Sequence, residues 1–253
     1  GEADRCRAVS ALAEGDASLL ETQWLRTYAS QEDLAQILEY IGSLSTPVLD
    51  AAPAYIQADL LFPYEHGLAF AEDLYLDGRW SGVDAAYRTP PASTEHILHP
   101  ERYPDDRPVR LDVSPAAADL PAGWIVLDRG TLGEWSLRQM LARHLSEEDA
   151  AATAQGWGGD SYVLYGADSR TATAVVLVAA WDTIRDAQEA FGGLRAYSDA
   201  RFGSHGTVEG TTIWETAGAA AIQLRTSDQT LGSLAPALEI AHRLRAGLTL
   251  PGP

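Results

Sequence analysis

Residues 161–202 read SYVLYGADSRTATAVVLVAAWDTIRDAQEAFGGLRAYSDARF. Two runs rich in Val, Leu, Tyr and Ala flank the turn-like segment ADSRT, a pattern that predicts two neighbouring strands. After Trp181 the texture changes. Asp182 or Thr183 suits a helix cap, and the residues through Phe202 keep helical spacing. Downstream, TTIWET and AAAIQLRT surround Ala217-Gly218 and predict a second strand pair. A closing helix is expected over LGSLAPALEIAHRLRAG, residues 231–247. The order strand-strand-helix-strand-strand-helix points to an antiparallel sheet with helices on one face.

Upstream of this unit the chain reads as helical. Residues 4–29 space Val9, Leu12, Leu19, Leu20 and Trp24 as one long helix. Ser30 caps a second helix with Asp33 three residues on, an acidic capping box. Residues 53–77 predict a helix broken at Pro63 and resuming to Gly78, and SGVDAAYRT predicts another, stopped by Pro90-Pro91. Ser93 or Thr94 caps a short turn carrying Glu95 and His96 before Pro100. RPVRLDV and GWIVLD are further strand candidates, GEWSLRQMLARHL is helical, and Ser146 with Asp149 opens another helix. The fold class expected is α+β: a helical part over 1–104, then an antiparallel-sheet part over 105–253.

The 253 residues suffice to bury a sizeable core. Formal net charge is −18, and all 18 basic residues are arginine. A field of that sign disfavours nucleic acid and anionic membranes as partners. The apolar run at 172–181 is too short to span a bilayer, and no signal-peptide pattern is visible in the opening residues, as expected also of a processed chain. Cys6, the one cysteine, excludes an internal disulfide and is expected to be a partly buried small residue.

Chemistry-bearing motifs are sparse. The sequence holds no His-Glu-x-x-His pair, no Gly-x-Ser-x-Gly elbow, no phosphate loop and no dinucleotide fingerprint. GWGGD at 156–160 reads as a tight turn before a strand. His144 and His242 stand alone on expected helices, and His205 on an expected loop. Tyr64, Glu65 and His66 follow Pro63, where an acid at a helix start is stabilised by the dipole. Glu95 and His99 are four apart, a spacing that suits either a transition-metal pair or local capping.

The blocks ALAEGDASLL, FPYEHGLAFAEDLYLDGRWSGVDAAYRTPPASTEHILHPERY, TLGEWSLRQML, GWGGDSYVLY and AAWDTIRDAQEAF, in that order, carry a resemblance across most of residues 8–200. They resemble bacterial and archaeal proteins, often secreted or surface-attached, that are related to gluzincin-type zinc metallopeptidases. The resemblance implies a gluzincin-like C-terminal portion in which Glu14 is the third zinc ligand. It places the His-Glu-x-x-His helix upstream of residue 1 and makes Tyr64 or His66 candidates to stabilise an oxyanion. Catalytic zinc needs about three protein ligands and an open position, and Glu14 supplies one. The chain therefore reads as a catalytically incomplete metallopeptidase-like protein, exported, taking zinc only if the missing helix is supplied.

The alternative is a non-catalytic, acidic extracellular structural or assembly subunit that binds protein partners or self-associates. Seven Trp and ten Tyr offer interface anchors as readily as core. Trp124, Trp157 and Trp181 are expected in the core.

Overall fold

The computed structural model describes residues 2–111, 120, 122–167, 172–208, 211–216, 219–225 and 229–235. It is α+β, with helices first and an antiparallel sheet after them. Contacts divide it into two compact units, one over residues 5–106 and one over 107–253 together with 1–4.

The first unit is helical: α1 (Glu2–Tyr28), α2 (Gln31–Ser43), α3 (Pro47–Asp50), α4 (Ala54–Arg88) and α5 (Thr94–Leu98), then a 3-10 turn over Pro100–Arg102. The expected capping box forms. Asp33 N–H donates to Ser30 Oγ at 3.1 Å, and Ser30 N–H donates to Asp33 Oδ2 at 2.8 Å. The buried stripe of α1 is Ala8, Ala11, Leu12 and Leu19, whereas Val9, Leu20 and Trp24 are exposed. Small residues win this face because α4 approaches closely: a β-carbon on Gly15 would meet the carbonyl oxygen of Gly67. Cys6 lies off that stripe and is exposed, contrary to expectation.

Pro63 does not break α4. The helix runs through it, with Phe62, Gly67, Phe70 and Ala71 buried on either side. Packing of that face outweighs the one backbone bond proline forfeits. The interruption comes instead at Arg79, where φ is 54° and ψ is −153°. Tyr64, Glu65 and His66 therefore stand inside a helix and not at its start.

The second unit holds β1 (Trp124–Gly130), α6 (Gly133–Leu141), α7 (Glu147–Ala154), β2 (Trp157–Ala167), β3 (Thr173–Trp181), α8 (Ile184–Phe202), β4 (Gly206–Val208), β5 (Thr211–Thr216), β6 (Ala219–Arg225) and β7 (Gln229–Ala235). All pairings are antiparallel, in the order β1-β2-β3-β7-β6-β5-β4. Alternate residues of β3 serve two cores. Ala179 and Trp181 pack with Leu137 and Leu141 of α6, Ala150 and Ala154 of α7, and Ala187, Ala190 and Tyr197 of α8. Val176 and Val178 pack on the other face with Val163, Tyr165 and Leu120. Burial on both faces is why residues 172–181 read as an unbroken apolar run. Trp157 and Trp181 are core residues, while Trp124 is half-buried.

Three expectations are corrected here. Residues 231–235 form strand β7, not the start of a closing helix; residues 236–247 lie outside the described residues, His242 among them. β3 and β6 each present a free ladder edge, and β7 pairs with both, Leu177↔Gly232 on one side and Ile222↔Ser233 on the other. That backbone demand overrides the i, i+3 spacing of the leucines. Residues 107–111 form no strand, making one backbone bond from Val109 N–H to Gly158 O at 2.7 Å; residues 112 and 113 lie outside the described residues. GWGGD is not a turn before the strand. β2 begins at Trp157, and the register slips between Trp157 and Gly159 as a bulge.

Candidate functional site

Glu14 is half-buried on α1, one residue before Gly15. On α4, Tyr64 and Glu65 are exposed, and the half-buried His66 sets its ring 5.1 Å from that of Phe62. Among the described residues, no group of three metal-ligating side chains includes Glu14 or His66. At Glu14 the described residues thus offer a catalytic zinc a single carboxylate, which does not fit the three-ligand requirement.

The stretch after α4 forms a buried polar knot. Ser93, Thr94, Glu95 and His96 are all buried. Arg102 Nη1 donates to Glu95 Oε1 at 2.6 Å and reaches Asp106 Oδ2 at 3.5 Å. His96 Nδ1 accepts the Ala92 N–H at 3.2 Å, and its Nε2 meets the carbonyl oxygen of Asp106. A backbone donor on Nδ1 and a carbonyl on Nε2 select the neutral tautomer protonated at Nε2. Both ring nitrogens are thereby engaged, so His96 ties the loop to the helix and has no lone pair for a metal. The ring of Tyr103 stacks edge-on to His96 and to Phe70 at 5.5 and 5.3 Å, and its hydroxyl donates to Thr89 O at 2.6 Å. His99 caps α5, with Nδ1 3.8 Å from a carboxylate oxygen of Glu101. Glu95 forms an ion pair with Arg102, and a buried carboxylate needs a cation at contact.

A second buried carboxylate escaped sequence reading. Asp160, in β2, accepts N–H bonds from Leu132 at 2.8 Å and Gly133 at 2.9 Å, and from the Trp157 indole at 2.9 Å. It caps the start of α6 from across the sheet, and Gly133 takes φ 79° there, a conformation costly for other residues. Burial pushes its pKa up to about 6, against the three donors, which pull it down. With every donor coming from the fold, its chemistry is structural.

His144 places its ring 5.3 Å from Tyr197, edge-on. His205 sits between Asp199, 2.7 Å from Nδ1, and Arg195, 2.7 Å from Nε2.

The feature with most reach is apolar. α2 carries no buried residue at all, and Leu34, Leu38 and Ile41 follow one another at i, i+4 and i+7. Leu38 is 69% exposed and Ile41 55%. α3 adds Val48 at 87% exposure, the end of α1 adds Trp24 and Tyr28, and the start of α4 adds Ile56 and Leu60. Most of the large apolar side chains exposed among the described residues fall between 20 and 64. Fully burying an exposed side chain of this size is worth about 1.5–3 kcal/mol, and these side chains forgo part of that. The capping box gave α2 in the sequence, but nothing there showed that its apolar side faces outward.

No helix among the described residues is long and apolar enough to cross a membrane. Residues 125–243 match a family described as a domain of unknown function, DUF8575. No curated protein and no solved structure matches the chain.

Proposed function

We propose that the chain is a non-catalytic, acidic assembly module that docks protein surfaces through the apolar face of residues 20–64. The observation that carries this reading is α2: an amphipathic helix whose apolar stripe has no cover in its own unit. Two of the other candidate site residues support it from the other side, since Glu95 and His96 are engaged in holding the fold. The resemblance to secreted or surface-attached proteins supports an extracellular setting.

The test compares the full chain with a Leu38→Asp/Ile41→Asp variant by sedimentation velocity and by binding of an apolar fluorescent dye. The reading expects either dye binding or concentration-dependent association in the parent, lost in the variant at unchanged thermal stability. A monomer at every concentration that binds no dye overturns it.

The zinc reading is a separate proposal, supported by the sequence likeness around Glu14. It needs histidines from another segment or chain. Metal analysis of unstripped native protein tests it: zinc present in the parent and lost in Glu14→Ala is the expected result, and zinc absent from both overturns it.

A further inference from the structure

We propose that the occupant of the 20–64 face is a basic amphipathic helix of a partner protein. This deepens the docking reading above and rests on it. Residues 20–64 contain six carboxylates, Glu21, Glu32, Asp33, Glu39, Asp50 and Asp59, against one base, Arg26. Asp59 is matched by Arg7, with Arg7 Nε at 2.5 Å. The remaining acids share their elements with the exposed apolar side chains, inside a chain of net charge −18.

That field selects among occupants. A second copy would bring the same sign to the same face, and across a contact the rim charges lie within the screening length of about 8 Å at physiological salt. Anionic lipid is repelled for the same reason. A cationic rim around an apolar stripe is attracted at long range and still buries its stripe at contact. Shape points the same way. Leu34, Leu38 and Ile41 form a line along α2, the pattern that receives a second helix presenting its own i, i+3, i+4 and i+7 anchors.

The experiment uses the full chain and three synthetic amphipathic helices. All carry the same leucine stripe, and their polar faces hold lysine, glutamine or glutamate. Fluorescence anisotropy should show the lysine peptide binding about tenfold or more tighter than the glutamate peptide, with that margin shrinking at high salt. The Leu38→Asp/Ile41→Asp variant adds negative charge, so diffuse attraction would strengthen; specific docking predicts that lysine-peptide binding is lost instead. Equal binding of all three peptides overturns the basic partner, as does retention by the variant. Self-association abolished by the variant, with no peptide preference, overturns the basic partner while leaving the docking reading in place. Co-sedimentation with anionic vesicles that the same variant abolishes overturns the protein partner in favour of lipid. No dye binding, no association and no peptide binding overturns both readings.

Discussion

A β-carbon on Gly15 of α1 would stand 2.0 Å from the carbonyl oxygen of Gly67 on α4, and one on Gly67 would stand 2.1 Å from that of Ala11. The two glycines let the helix backbones touch, which no side chain permits.

Alanine is ordinarily the better helix residue, yet Gly15→Ala and Gly67→Ala are each expected to destabilise the helical unit by about 1–3 kcal/mol through overpacking. Gly42 on α2 meets nothing within 4 Å, so Gly42→Ala is expected to stabilise by about 0.5–1 kcal/mol. Denaturant unfolding of the three variants reads both signs. Stabilisation by Gly15→Ala would mean that the crossing is looser than described.

The Glu95–Arg102 pair predicts an asymmetry between single and double variants. Arg102→Met leaves a carboxylate buried without its cation and is expected to cost about 3 kcal/mol. Adding Glu95→Gln removes the stranded charge and should recover part of that loss. A double variant less stable than Arg102→Met alone contradicts the pairing.

Asp160 predicts a pH dependence. Its value rises from 3.8 to about 6 on folding, so between those limits the native state holds the proton that the unfolded chain releases. Stability contributed through this residue is therefore greatest below pH 4 and is lost as pH rises through 6. Relative to Asp160→Asn, the parent should lose up to about 3 kcal/mol of stability between pH 4 and pH 7. Calorimetry of both proteins across that range measures the difference, and a flat difference refutes the shift.

His96 predicts a distinct signature. As a neutral ring donating from Nε2 and accepting at Nδ1, it should show the nitrogen shifts of that tautomer by NMR. His96→Gln, which keeps a donor and an acceptor, should be tolerated better than His96→Phe, which leaves the Asp106 carbonyl without its donor. Equal stability of the two variants contradicts the bridging role.

Much of the fold was legible because it rests on local rules. Ser30, Ser146 and Thr183 cap their helices with an aspartate three residues on, as the residue types dictate. The strands around the apolar run of β3 declare themselves by composition. The site was far less legible. Glu14, Tyr64, Glu65 and His66 attracted notice for their chemistry, but proximity between them is not a property of spacing along the chain. Asp160 hid within a glycine-rich block, since its three donors come from a bulged strand and the start of a helix more than twenty residues earlier.

The sequence by itself determined the α+β order and the helix starts, because each depends on neighbours within a few residues, and it set the net charge of −18 by composition. Tertiary structure alone decided that Pro63 would be carried through a helix and that β7 would be a strand, because packing and unpaired ladder edges outweigh local preference. It also decided that Gly15 would serve a helix crossing beside Glu14, and that the stripe of α2 would face outward. Which face of an amphipathic helix is covered depends on what lies opposite, and that is set by the whole fold.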